Sequence, residues 1–169
     1  MKKHLILYLT LAACLLTACS IRYSFNGSSI NYDIVKTISI EKFPIRSSYV
    51  WAPMEAMFYN SLTDAYGNKT KLEILKRNGD LQLAGEITEY SQINKSVASD
   101  GYAAQTQLKI TVNVRFVNNS NHEEDFERQF SATSEYDSSQ QLAVVQEQLV
   151  QEIIDQIVDQ IFNATVANW

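Results

Sequence analysis

The sequence predicts an α+β domain with elements in the order strand, helix, four strands, helix. Three observations predict it. Leu108, Ile110, Val112, Val114 and Phe116 alternate with Lys109, Thr111, Asn113 and Arg115, the period of a strand with one apolar and one polar face. Leu142, Val145, Leu149, Ile153, Ile157 and Ile161 recur at helical spacing, widened by Val150, Ile154, Val158 and Phe162. Glu and Gln occupy the opposite side, as in a helix lying on a sheet. A shorter helical stripe comes after Pro53.

Each element has its own signal. Val35 to Phe43 has strand character, with Ile38 and Ile40 on one face, and Pro44 ends it. Pro53 suits a first helical turn, where its missing N–H is no loss. Met54, Met57, Phe58, Leu62 and Ala65 continue that helix, and Gly67 is the expected stop. Leu72–Leu75 and Leu81–Ile87 read as strands joined through Asn78-Gly79, a strong hairpin signal. Asn118 to His122 is a turn, and Phe126, Arg128 and Phe130 lie on a return strand. Ser138 with Gln141 three residues later has the spacing of a capping box at the start of the last helix. Twenty-four helical residues reach about 36 Å.

Composition narrows the function classes. The 169 residues are 46% hydrophobic and 20% charged, with 5 Gly and 2 Pro. These values fit one globular domain and exclude a disordered protein, a fibrous repeat or a multidomain enzyme. Lys+Arg is 14 against Asp+Glu 19, a net charge of −5, which argues against nucleic acid as a partner.

Residues 1–18 read as an export signal. Lys2 and Lys3 precede an apolar run from Leu5 to Leu16, broken only by Thr10. That run is too short to cross a bilayer, which takes roughly 20 residues, and suits a signal-peptide core. It ends in Leu16-Thr17-Ala18-Cys19, which resembles the lipobox of bacterial lipoproteins. The resemblance implies cleavage before Cys19, a diacylglycerol thioether on its sulfur and a further acyl chain on its amine. Cleavage removes 18 residues, leaves 151, and takes the charge from −5 to −7 by losing Lys2 and Lys3. Cys14 leaves with the signal and Cys19 is consumed by lipid, so no thiol remains for a disulfide, metal or nucleophile. Several acyl chains make a stable anchor where one does not. Ser20, in place of an aspartate, favours the outer membrane by the sorting pattern of such lipoproteins. The residues just after Cys19 carry no acidic run, so the domain is expected to face the periplasm. Residues 19–34, with Tyr23, Phe25 and Tyr32 among Ser, Asn and Gly, form the lipidated N-terminal tether or docking segment.

Little catalytic chemistry is available. His122 is the one histidine left after the signal, and it sits in a polar turn. A zinc site of the His/Cys kind is out of reach, and there is no nucleophile elbow or Gly-rich phosphate loop. Glu86 and Glu89, or Glu123, Glu124 and Asp125, are read as solvated faces and turn residues, not as acid–base pairs. No catalytic, metal or cofactor residue is assigned.

Several stretches carry a wider resemblance. They are Tyr23-Ser-Phe-Asn-Gly27, Val35-Lys-Thr-Ile-Ser-Ile-Glu41, Asn78-Gly-Asp-Leu-Gln-Leu-Ala-Gly-Glu-Ile-Thr88, Leu108-Lys-Ile-Thr-Val-Asn-Val-Arg115, Phe126-Glu-Arg-Gln-Phe130, Asp137-Ser-Ser-Gln-Gln-Leu142 and Asn163-Ala-Thr-Val-Ala-Asn-Trp169. Together they resemble the LptE family of lipopolysaccharide-assembly lipoproteins, in the form found in Bacteroidetes. The resemblance implies two helices against a mostly antiparallel four-stranded sheet. With the extra strand read above, the expected fold is two helices packed on a mostly antiparallel four- to five-stranded sheet spanning residues 35–169.

The resemblance also implies a role. Such a protein plugs an LptD-type outer-membrane β-barrel, assists its assembly and supports lipopolysaccharide transport to the outer leaflet. Family members carry basic residues, before the long central strand and early in the last helix, that are proposed to touch lipid phosphates. The corresponding positions here are Ser99 and Val145, neither of them basic. Lys95 is the nearest cation in that loop and the one ligand-binding candidate, with lipopolysaccharide as the ligand. The alternative role is that of an accessory lipoprotein of another envelope secretion or polysaccharide export machine.

Overall fold

The computed structural model describes residues 30–95 and 105–166. Strand β1 (Thr37–Ile40) leads to helix α1 (Pro53–Lys69), strands β2 (Glu73–Leu75), β3 (Leu81–Asn94), β4 (Gln105–Asn118) and β5 (Phe126–Asp137), and helix α2 (Leu142–Thr165). A single 3₁₀ turn, His122–Glu124, joins β4 to β5. The strands form one sheet in the order β2-β1-β3-β4-β5. Both helices lie on one face, α1 over the β1/β2 side and α2 over β4 and β5. The fold is therefore α+β with two helices on five strands.

The sheet is mixed. β3, β4 and β5 are antiparallel neighbours over most of their lengths, while β1 runs parallel to both β2 and β3. This corrects the expected hairpin at Asn78-Gly79. β2 and β3 do not pair, because β1 lies between them. Residues 76–80 instead cross β1 against its backbone. A Cβ on Gly79 would stand 2.5 Å from the Ser39 nitrogen and 2.7 Å from the Ile38 carbonyl carbon, so only glycine admits the crossing. Asn78 turns the chain there with φ 57°, a left-handed geometry that asparagine tolerates. The dipeptide marks a turn, as expected, but one that inserts a parallel strand.

Asp80 fastens the crossing. Its carboxylate accepts the backbone N–H groups of Lys36 at 2.9 Å and Thr37 at 3.0 Å, and the Thr37 hydroxyl at 2.9 Å. Its own N–H donates to the Thr37 hydroxyl oxygen at 2.9 Å.

The apolar stripes meet in one core. Ile38, Ile40, Leu83, Ile87, Leu108, Ile110, Val112, Val114 and Phe116 face Met54, Phe58, Leu62 and Tyr66 of α1 and the Leu149–Ile161 stripe of α2, all buried. Phe43 is fully buried against Phe58, with ring centroids 4.9 Å apart. Its ring fills the space left by Gly85, where a Cβ would meet Phe43 Cε1 at 2.5 Å. The Tyr66 hydroxyl bonds the Thr165 hydroxyl at 2.5 Å inside the core, tying α1 to the end of α2. Burial pushes the Tyr66 phenol far above its ordinary pKa, so it stays neutral.

Two helix boundaries differ from expectation. Gly67 does not stop α1, which runs to Lys69. Gly67 avoids the left-handed region, and Thr70 supplies the end by donating its hydroxyl and N–H to the Tyr66 carbonyl, at 2.7 and 3.1 Å. Ser138 and Gln141 form no capping box. Asp137 captures the N–H and hydroxyl of Ser139, at 2.8 and 2.6 Å, and holds a turn ahead of the helix. Ser138 bonds Thr106 at 2.9 Å, and α2 begins at Leu142 without a side-chain cap.

Candidate functional site

Both helices cover one face of the sheet, which leaves the other open. Pleating places Gln107, Lys109, Thr111, Asn113 and Arg115 of β4 on that open face, beside Glu86, Glu89 and Ser91 of β3 and Glu127, Gln129, Ser131, Thr133 and Glu135 of β5. Its charges are mostly paired. Lys109 meets Glu89 at 2.8 Å, while Thr111 and Ser91 donate to the same carboxylate at 2.9 and 2.8 Å. The Lys109 ammonium first, then the Ser91 hydroxyl, hold the Glu89 carboxyl below its ordinary pKa. Asn113 donates to Glu127 at 2.8 Å, and Arg46 lies 3.8 Å from Glu86. The result is a broad, mainly hydrophilic wall of amides, hydroxyls and ion pairs, interrupted by Ala84, Val117 and the exposed Ile93.

A bulge aims part of this wall. The register shifts between Ile87 and Glu89, so Thr88 is the extra residue and donates its hydroxyl to the Thr111 carbonyl at 3.2 Å. Up to Ile87 the odd positions of β3 face the core; beyond it the even positions, Tyr90 and Gln92, take that side. The shift turns Glu89 outward to Lys109. It also carries Tyr90 inward, where Gln146 donates to its hydroxyl at 2.7 Å.

Lys95 stands at the far end of the open face, bonded to Glu135 of β5. Its charge is thus matched inside the wall. Val145 sits in the first turn of α2, half-buried against the core, and contributes no cation. Cys19 and Ser99 lie outside the described residues, as do Tyr23 and Phe25.

The remaining candidates have local partners. His122 is exposed in the 3₁₀ turn with Nδ1 2.9 Å from Asp125. Asp125 accepts the Asn118 N–H at 2.7 Å, which holds its carboxyl below the ordinary range. Glu124 accepts the Asn118 and Asn121 amides. Glu86 and Glu89 make separate ion pairs on the open face. Among the described residues no group of three His, Cys, Asp or Glu side chains is placed to hold a metal, and no helix is long and apolar enough to cross a membrane.

At the opposite end from Lys95 is a cavity of about 200 Å³, lined by Ile30, Ile34, Leu81, Asn118, Glu124 and Thr165. Ile30 and Tyr32 pack against the core beside it. The described residues begin at this end, with Ile30. Sequence reasoning had no signal for the cavity, because its lining comes from four separated segments.

These features define a two-layer α+β domain backed by helices and presenting one hydrophilic face. The chain belongs to the LptE family, described as lipopolysaccharide-assembly; the family model matches residues 35–165. Membership makes it a lipopolysaccharide-assembly lipoprotein of the cell envelope, in a family that is not enzymatic. No curated protein matches the chain. Among solved structures, a hypothetical protein from Chlamydia trachomatis is similar at 11% identity and a TM-score of 0.51, covering 78% of this chain and 98% of that one. That likeness shows the fold. Rare lipoprotein B from Shewanella oneidensis is similar at 16% identity and a TM-score of 0.47, covering 75% and 92%. A minor lipoprotein from Acinetobacter baumannii is similar at 16% identity and a TM-score of 0.44, covering 76% and 90%.

Proposed function

We propose that the chain is anchored to the outer membrane by lipid on Cys19, faces the periplasm, and plugs an LptD-type β-barrel. There it assists barrel assembly and supports lipopolysaccharide transport to the outer leaflet. Family membership supports the role, and the open sheet face is the observation that carries the geometry. A barrel lumen is polar and lined by alternating side chains, so its plug needs a wettable surface on a rigid body. Here amides, hydroxyls and paired charges make up most of the face left free by both helices. The tether enters at the Ile30 end, so lipid at Cys19 confines the domain to the barrel's own membrane and raises its effective concentration there. Lys95 contributes only weakly to any lipopolysaccharide contact, because Glu135 already matches its charge.

A photo-crosslinking residue at Asn113, on the open face, tests the proposal in whole cells. The expected product is a covalent adduct with an LptD-type barrel, identified by mass spectrometry. Repeated recovery of a different export channel moves the protein to another envelope machine, and adducts without any barrel reject the plug.

A further inference from the structure

We infer that the cleft between the end of β1 and the crossing segment is a binding site for a phosphate-bearing ligand, built from Lys42, Lys76 and Arg77. The inference does not rest on the barrel proposal, and the site lies on strands remote from Lys95. The cleft encloses about 590 Å³ and is also lined by Tyr59, Asn78 and Gln82.

Three observations carry it. First, the three cations are exposed, and among the described residues none of them makes an ion pair. Arg46, Lys69, Lys95 and Lys109 each have a carboxylate partner, and Lys71 and Arg128 lie over aromatic rings. Lys36 and Arg115 are unpaired among the described residues too, but Lys42, Lys76 and Arg77 are the ones gathered in one cleft. The chain has more acids than bases, so carboxylates are not scarce; these three cations are simply kept apart from them. Only Glu41 brings a negative charge to the lining. Like charges gathered in one concavity repel each other unless an anion joins them.

Second, the cations sit on a rigid frame. Lys76 and Arg77 belong to the segment whose path Gly79 presses onto β1 and Asp80 fastens to Thr37. Lys42 precedes Phe43, which is buried in the core. The backbone positions from which they project are therefore set before a ligand arrives, which lowers part of the cost of binding.

Third, the neutral lining suits the same ligand. The Tyr59 hydroxyl and the amides of Asn78 and Gln82 can all donate hydrogen bonds. Phosphate oxygens accept several such bonds, and the planar Arg77 guanidinium can take two of them at once. A carboxylate would leave most of these donors idle.

The test uses the full lipidated chain in nonionic detergent, observed by backbone amide NMR. Inorganic pyrophosphate is titrated first; then micelles doped with phosphatidylglycerol are compared with micelles doped with phosphatidylcholine. Saturable shifts at Lys42 and Lys76–Gly79 are expected. Lys42→Gln/Lys76→Gln/Arg77→Gln is expected to weaken binding by about tenfold or more at an unchanged melting temperature. Shifts with pyrophosphate assign a soluble phosphate; shifts confined to phosphatidylglycerol micelles assign a lipid headgroup. A triple variant that titrates like the parent, or no shift with either probe, overturns the site.

Discussion

The Asp80 carboxylate and the Thr37 hydroxyl meet at 2.9 Å across 43 residues of sequence, and this contact locks the central parallel strand to the segment that crosses it. Asp80→Ala removes three charge-assisted hydrogen bonds and is expected to cost about 2 kcal/mol in urea unfolding. The contact also sets an acid limit. The backbone N–H of Lys36 first, then the Thr37 hydroxyl, hold the Asp80 carboxyl below its ordinary value of 3.8. A depressed folded pKa gives stability that is complete above the unfolded value and is lost as pH falls through the folded one. Asp80→Asn should therefore flatten the loss of stability below about pH 4. An unchanged acid limb would remove Asp80 from that role.

Gly85 and Phe43 make the second prediction. A Cβ at position 85 would overlap the Asn113 carbonyl oxygen and stand 2.5 Å from the Phe43 ring, which packs on Phe58, so both backbone and ring must shift. Gly85→Ala is expected to destabilise by about 2 kcal/mol. Phe43→Leu in the same background should recover part of that loss, which a double-mutant cycle in urea will measure.

On the open face, function and stability should separate. Asn113→Trp alters the wall without touching the core, so unfolding stability should change by no more than about 0.5 kcal/mol. Recovery of the barrel partner in a pull-down should fall sharply. Full recovery would show that another face makes the contact.

Lys95 should matter little. An exposed pair such as Lys95–Glu135 is worth at most about 1 kcal/mol. Lys95→Ala is expected to lower lipopolysaccharide binding by less than about threefold, read from a titration of the purified protein. Complete loss would make a single cation dominant.

The anchor prediction concerns mass. Intact-mass measurement of the native protein should show a chain starting at Cys19 with added acyl groups. Cys19→Ala should carry none and leave the membrane fraction. An unmodified native protein would end the lipid-anchor proposal.

Much of this fold was legible because its signals are local. The alternation in Leu108–Phe116 and the Leu149–Ile161 stripe each report a single element against one core, and both hold. Strand β3 was read as ending at Ile87 because Thr88 reverses the parity of the residues beyond it, and a bulge cancels the period on which strand reading relies. Strand β5 was read only to Phe130, since Ala132 and Ser134 are too small to mark an apolar face against Ser131, Thr133 and Glu135. The Asn78-Gly79 hairpin failed for a different reason. Turn chemistry reports that the chain turns, but not which strand it turns onto, and the Ser39 that Gly79 meets lies 40 residues upstream. The wall itself was foreseen on β4; its continuation onto β3 and β5 needed the register.

Ile30 and Thr165 line the same cavity, so both ends of the described domain emerge at one pole. Strand β3 starts there at Leu81 and runs 14 residues to Asn94, a reach of about 43 Å at some 3.3 Å per residue. The hydrocarbon of a bilayer is about 30 Å thick. A molecule held by its near pole at one leaflet, with β3 upright, would therefore present Lys95 near the level of the opposite leaflet.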